Sequence, residues 1–337
     1  MMKTLRRRTV MAGAASALAL PALPRSGVAR QGGWAQVRDA ASRYRQLHAI
    51  LVAHRGETVV AEAFRGSGLD AVANVKSVSK SIVALLLGAA IDRGVIQSVD
   101  SRLGDVAPQL IPADADPRVR DLTMRDLVTL RAGLERTSGP NYGEWIASDN
   151  WVADALSRPF VAAPGGRMLY STGSFHVLGA ALAEAAGRDL LTLTREWLGR
   201  PLDIQVPAWT RDPQGYYMGG NQMALTPRAL LKLGELVRQG GQWQGDQVLP
   251  EDWIAASLTP VTRSPYSGLG YGYGWFVTQT RRGRLALARG YGGQIVAVAP
   301  DVGISVAITS DPTQPARSGG YFGDLMALIT DDVLAVG

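Results

Sequence analysis

Residues 81 to 93 are apolar at nearly every position, through Ile82, Val83, Leu85, Leu86, Leu87, Ala89, Ala90 and Ile91, and the run stops at Gly94. A segment apolar all round is a helix buried on every side, and glycine supplies the left-handed cap that ends it. Before it, Trp34 to His48 has helical apolar spacing. The short runs Ala49 to Ala53 and Thr58 to Ala61 then flank the turn residues Arg55-Gly56-Glu57, which predicts a helix followed by a β-hairpin. From about Asp100 to Val206 the pattern is loops and helices. These include Thr123 to Leu130, where Thr123 and Asp126 have capping-box spacing, and Ser174 to Ala186, closed by Gly187. Strand signals return at Gly274 to Thr278, Arg284 to Ala288, Gln294 to Val298 and Ile304 to Ile308, most of them bounded by glycine or proline. A last helix is predicted over Tyr321 to Val336. Strands at both ends around a helical middle imply one sheet assembled from the two ends of the chain. The expected division is an α/β part from 30–100 and 207–337, with 101–206 inserted as a helical region.

Composition changes this picture at the N-terminus. With 337 residues and 46% of them hydrophobic, the chain can bury one large core or two intimately joined ones. The formal net charge of +6 would ordinarily point to nucleic acid or an anionic membrane. Lys3, Arg6, Arg7, Arg8 and Arg25 stand in the first 29 residues without one acidic side chain; removing those five leaves 30 basic groups against 29 acidic ones. No nucleic-acid partner is expected. The basic cluster precedes an apolar run from Val10 to Leu23, too short to span a bilayer comfortably, so residues 1–29 read as a secretory signal peptide. Arg7-Arg8-Thr9-Val10-Met11 resembles a twin-arginine motif, and Gly27-Val28-Ala29 offers small residues for cleavage. The expectation is an exported, periplasmic or secreted protein that keeps no membrane anchor after processing. The absence of cysteine excludes disulfides, thiolate metal sites and a cysteine nucleophile. His48, His54 and His176 have no metal-ligand spacing, so neither metal nor cofactor is expected.

Candidate chemistry begins with Lys76-Ser77-Val78-Ser79-Lys80-Ser81 at the head of the buried helix. Spacing of three places Ser77 and Lys80 on one face, a turn apart. A serine hydroxyl needs a base to become a nucleophile, and a lysine amine serves when burial disfavours its charged form. Tyr170, in Leu169-Tyr170-Ser171-Thr172-Gly173, lies on a loop at a helix start, where a phenol can relay a proton. Arg289-Gly290-Tyr291-Gly292-Gly293-Gln294 enters a strand with glycines that let a substrate approach the backbone. Backbone N–H groups of Ser77 and Gln294 are candidates for an oxyanion hole. Taken singly, each has an ordinary structural alternative: a solvated helix start, a packed tyrosine ring, a glycine-rich turn. His176 reads as a satisfied hydrogen-bonding histidine, and Tyr142, Trp145 and Trp151 as either cleft mouth or helical core.

Together, in this order, these segments resemble the serine β-lactamase and penicillin-binding protein superfamily, most closely its class C-like branch of esterases, D-aminopeptidases and 6-aminohexanoate-dimer hydrolases. The resemblance covers the mature chain, including Leu122-Thr123-Met124-Arg125-Asp126-Leu127, Leu225-Thr226-Pro227-Arg228, Gly240-Gly241-Gln242-Trp243 through Leu249-Pro250-Glu251-Asp252-Trp253, and Gly270-Tyr271-Gly272-Tyr273-Gly274-Trp275. It implies an α+β fold of the β-lactamase/transpeptidase kind, an antiparallel sheet flanked by helices with a helical insertion. It also implies acylation of Ser77, with base and acid duties shared by Lys80 and Tyr170. Tyr291-Gly292-Gly293 takes the place of the K-T-G strand motif, and the substrate is a small ester or amide.

Two departures bear on substrate. Thr172 stands where the branch often has asparagine and lacks its two amide donors. Neutral Tyr291 stands where β-lactamases place the lysine that pairs with the β-lactam carboxylate, and Arg289 lies two residues away. Weak or absent β-lactamase activity is therefore expected. A cell-wall D,D-peptidase and a catalytically silent ligand-binding module of the same fold stay open at this stage.

Overall fold

The computed structural model describes residues 33–337. The proposed leader at 1–29 lies outside the described residues. Helix α1 (Trp34–Ser42) leads into β1 (Leu47–His54) and β2 (Glu57–Ala63). Arg55 and Gly56 both have positive φ, 53° and 90°, the conformation of the two-residue turn whose twist matches a hairpin. The predicted first helix is thus shorter than its apolar spacing implies. Leu47 pairs with Ser310 across the sheet, and that pairing takes residues 47 onward into β structure against a weak helical preference.

Six further strands complete an antiparallel sheet: β3 (Thr262–Arg263), β4 (Gly270–Tyr271), β5 (Phe276–Thr280), β6 (Gly283–Gly290), β7 (Gln294–Ala299) and β8 (Ile304–Ser310). Their order is β2-β1-β8-β7-β6-β5-β4-β3, so both ends of the chain build one sheet, as the strand signals imply. Every residue of β7 and β8 is buried, the mark of strands covered on both faces. Helix α2 (Val78–Asp92) packs on β6 and β7 and on helix α3 (Thr172–Ala186); helix α4 (Pro227–Arg238) packs across β1, β7 and β8. Between 101 and 206 the structure holds helices and turns with isolated bridges. The capping box of Thr123 and Asp126 is formed, and Gly187 ends α3 in the left-handed conformation.

Three features lie outside the pattern read from sequence. Two-residue strands β3 and β4 are too short to carry a period. Ala73–Asn74 pairs with Ala224–Leu225 in a separate ribbon that fixes the chain just before Ser77. The final helix divides into α5 (Tyr321–Ala327), a π-helical stretch over Leu328–Val333 and a last turn at Leu334–Val336.

Helix α2 is the element that positions the site. Residues 78 to 90 are all buried, which accounts for a helix apolar on every face. Its register is set by Trp253, whose Nε1 donates to the Ala84 carbonyl at 3.1 Å. A Cβ on Gly88 would lie 2.3 Å from that indole, so only glycine admits the contact. Lys80 is the one charged side chain in this buried stretch, 1% exposed.

Candidate active site

A buried ammonium is costly unless it is paired or loses its proton. Lys80 has no carboxylate. Its Nζ donates to the Ser77 Oγ at 3.1 Å, to the Thr172 Oγ1 at 3.2 Å and to the Gly220 carbonyl at 2.6 Å. The Tyr170 ring centroid lies 4.9 Å from Nζ and that of Phe175 6.0 Å away. Desolvation lowers the amine from 10.5 to about 7, so near neutral pH a large share of it is unprotonated.

Ser77 stands at the N-terminus of α2, half-buried, and lines a cleft of about 540 Å³. The residue before it, Lys76, has φ of +51°, a left-handed conformation that non-glycine residues seldom adopt. The Asn74 side chain holds it there by accepting from the Lys76 N–H at 2.9 Å. Strain of this kind is retained where surrounding structure enforces it, and it clusters at functional sites.

Tyr170 lines the same cleft as Ser77, and its ring stacks on Phe276 with centroids 6.4 Å apart and planes at 19°. Burial raises the phenol above its usual range, while the nearby Ser77 hydroxyl and the charge of Arg289 pull the other way; the net direction is up. Tyr170 therefore rests as a phenol, and the depressed group in this pair is the lysine.

Of the residues expected from sequence, the structure brings Ser77, Lys80, Tyr170, Thr172 and Tyr291 to one cleft. Thr172, the first residue of α3, spends its hydroxyl on Lys80 and on Ser138 Oγ at 3.0 Å. Gly290 and Tyr291 line the cleft, whereas Gly292, Gly293 and Gln294 do not. Gln294 stands opposite Gly290 in the β6–β7 ladder, and its buried side chain binds the Ser310 backbone through both ends, at 2.8 and 3.0 Å. The hairpin between β6 and β7 turns at residues 291–293, which carries Gln294 back into the sheet. Neither the Ser77 nor the Tyr291 backbone N–H makes a backbone hydrogen bond among the described residues. Tyr142 lines the cleft mouth, where its hydroxyl accepts from Asn221 Nδ2 at 3.0 Å, while Trp145 and Trp151 are core.

Sequence reasoning missed the acceptor of Lys80. Gly219 and Gly220 form a strap pressed onto α3: a Cβ on Gly219 would lie 2.2 Å from the Phe175 carbonyl, and one on Gly220 2.9 Å from that of Thr172. The Gly-Gly pair is the one sequence signal of that close approach. The strap is tied down by His176, whose Nδ1 accepts from the Gly219 N–H at 3.4 Å and whose Nε2 lies 2.9 Å from Asp212 Oδ2. Both side chains are fully buried. His176 is thus a satisfied histidine, as expected, with a partner 36 residues away.

Among the described residues no cluster of His, Asp and Glu could hold a metal ion. None of their helices is long and apolar enough to cross a membrane.

Comparison with known proteins bears on the fold. The hydrolase EstCE1, described as having promiscuous acyltransferase activity, is 19% identical with a TM-score of 0.75, over 90% of this chain and 98% of that one. A β-lactamase from Mycobacterium bovis is 18% identical with a TM-score of 0.66, over 89% and 98%. An octameric penicillin-binding protein homologue from Pyrococcus abyssi is 17% identical with a TM-score of 0.68, over 88% and 76%. At these identities the likeness is one of fold. The family model described as Beta-lactamase matches residues 37–330, nearly all of the described chain, and this protein belongs to that family.

Proposed function

We propose that this protein is an exported serine hydrolase that cleaves a small ester or amide through an acyl-enzyme on Ser77. The observation that carries the reading is the Lys80 amine: buried, without a carboxylate partner, 3.1 Å from the Ser77 hydroxyl and depressed to about 7. An amine in that state is a general base for the hydroxyl beside it.

In the first half-reaction Ser77 Oγ attacks the substrate carbonyl carbon and its proton passes to Lys80 Nζ. The oxyanion forms against the N–H groups of Ser77 and Tyr291, two donors at the cleft without backbone acceptors. The C–O or C–N bond then breaks, and the leaving group takes a proton through the Tyr170 phenol, which Lys80 re-supplies. In the second half a water gives a proton to the same relay and attacks the acyl carbonyl, releasing the acid and restoring Ser77. The raised pKa of Tyr170 favours this division, with Lys80 as base and the phenol as conduit.

Export rests on the basic and apolar leader. Preference for ester or simple amide over β-lactam rests on Tyr291 at the motif lysine position and on Thr172, whose hydroxyl is engaged with Lys80 and Ser138. A missing charge-assisted hydrogen bond is worth about 1.5–3 kcal/mol, or roughly tenfold to a hundredfold in rate. Steady-state assays with p-nitrophenyl acetate and nitrocefin test this. Ester hydrolysis lost in Ser77→Ala, with slow or absent nitrocefin turnover, is the expected result; nitrocefin cleavage as efficient as that of a dedicated β-lactamase would contradict it.

A further inference from the structure

Once Ser77 carries an acyl group, the partners of the Lys80 amine are no longer equivalent. The Gly220 carbonyl holds no proton and the Ser77 oxygen has become an ester oxygen. Of the three hydrogen-bond partners, the Thr172 hydroxyl at 3.2 Å is the one that can still hand the amine a proton. Thr172 is 3% exposed, and its oxygen lies 3.0 Å from Ser138 Oγ. Ser138 is half-buried and lines the cleft. A chain of two hydroxyls therefore runs from the buried amine to the cleft that holds the acyl group.

The lone pairs give that chain a direction. Ser138 Oγ accepts from the Thr172 backbone N–H at 2.9 Å, which uses one of its two lone pairs and fixes the oxygen at the start of α3. When Lys80 is neutral, its lone pair accepts the Thr172 hydroxyl, and Thr172 in turn accepts the Ser138 hydroxyl. The second lone pair of Ser138 is then open to a donor in the cleft. When Lys80 is an ammonium it donates to Thr172, and the chain runs the other way. A hydroxyl permits this reversal because one oxygen both donates and accepts. An asparagine at position 172 would donate and accept through different atoms, and its amide would end the chain.

We propose that Ser138 is a further catalytic residue, which takes the proton of the hydrolytic water and passes it through Thr172 to Lys80. The proposal rests on the acyl-enzyme reading above and names where the water's proton enters its relay. One O–H bond of the water breaks as its oxygen bonds to the acyl carbon. Ser138 gains that hydrogen and gives its own to Thr172, which gives its own to Lys80 Nζ. Both hydroxyls are restored and Lys80 becomes an ammonium. Collapse of the tetrahedral intermediate then breaks the bond to Ser77 Oγ, which takes the proton from Lys80 as the acid leaves.

Separating the two half-reactions tests this. Stopped-flow release of the first p-nitrophenol from p-nitrophenyl acetate reads acetylation of Ser77. Intact-mass spectrometry of the acetyl-enzyme, freed of excess ester, reads its loss to water, with and without added hydroxylamine. Thr172→Val and Ser138→Ala break the chain at different residues, and Thr172→Ser keeps it. In each broken chain the ratio of deacetylation to acetylation is expected to fall by about a hundredfold, the scale of removing a positioned base. Thr172→Ser keeps that ratio near the wild-type value. Hydroxylamine attacks an acyl group without surrendering a proton first, so it should clear the acetyl group from wild type and both broken chains at similar rates. A ratio unchanged in either folded variant overturns the proposal. So does a loss shared equally by both half-reactions, because Thr172 and Ser138 then only seat Lys80, and so does an acetyl group that hydroxylamine removes no faster than water. Melting curves establish which variants are folded, and either broken chain decides the matter without the other. A wild type that never acquires the acetyl group refutes the hydrolase reading itself, whereas an acetyl-enzyme that water clears equally fast in both variants refutes the Ser138 path alone.

Discussion

Lys80→Met is expected to lower kcat/KM toward esters by about ten-thousand-fold, the scale of losing the base from a unit that acts together. The fold should survive the change. The wild-type chain carries an amine at 1% exposure whose proton affinity burial has reduced from 10.5 to about 7, and methionine removes that desolvation cost. The loss of the Gly220 carbonyl's partner offsets part of the gain. Thermal melting at neutral pH should therefore show no fall. Lys80→Arg should be equally inactive, because a guanidinium remains protonated and cannot accept the Ser77 proton.

The same amine fixes the pH profile. The base must be neutral, so kcat/KM rises through a midpoint at about 7 and falls tenfold per unit below it. Stability follows the same group. A lysine depressed in the folded state binds fewer protons there than in the unfolded chain between about 7 and 10.5, so its burial penalty is full below that window and fades as pH rises through it. A rate profile flat from pH 5 to 9 would remove Lys80 from the base role.

Asp212→Ala is expected to cost about 3–5 kcal/mol of stability, read from urea unfolding. Asp212 accepts from the part-buried Tyr216 N–H at 2.8 Å through Oδ1 and bonds His176 Nε2 through Oδ2, the two side chains of the latter pair being fully buried. Alanine leaves one buried and one part-buried donor without acceptors. The damage extends to chemistry, since His176 holds the Gly219 N–H and the next residue, Gly220, supplies the acceptor for Lys80. A stability loss below about 1 kcal/mol would show that the strap is held by other contacts, among them the Trp209 Nε1 bond to the Met218 carbonyl.

The contrast between these two residues shows what the sequence could and could not disclose. Ser77 and Lys80 were legible because they share one helix, where a spacing of three fixes their relation, and because the apolar run around them announces burial. Tyr170 and Tyr291 became legible only through resemblance, since nothing local says that two loops separated by about 120 residues meet at one cleft. The oxyanion assignment to Gln294 took the first residue of the strand, after the glycines at its entry, as the one whose N–H faces the substrate. The turn at 291–293 sends Gln294 into the ladder opposite Gly290 and leaves Tyr291 at the cleft. The Lys80 acceptor is a backbone carbonyl, Gly220, and a carbonyl leaves no mark on residue type. Likewise the long strands β1 and β6 to β8 were found by their alternation or apolar runs, whereas two-residue strands such as β3 and β4 exist only through their neighbours.

The account depends on a proton leaving one particular hydroxyl for one particular amine. Intact-mass spectrometry of the protein after exposure to a fluorophosphonate reads that event directly, because only an activated serine displaces fluoride. The predicted result is a single adduct on the wild-type chain, absent from Ser77→Ala, formed in Lys80→Met at a rate thousands of times lower. An adduct of equal yield on Ser77→Ala, or none on the wild type, would contradict it.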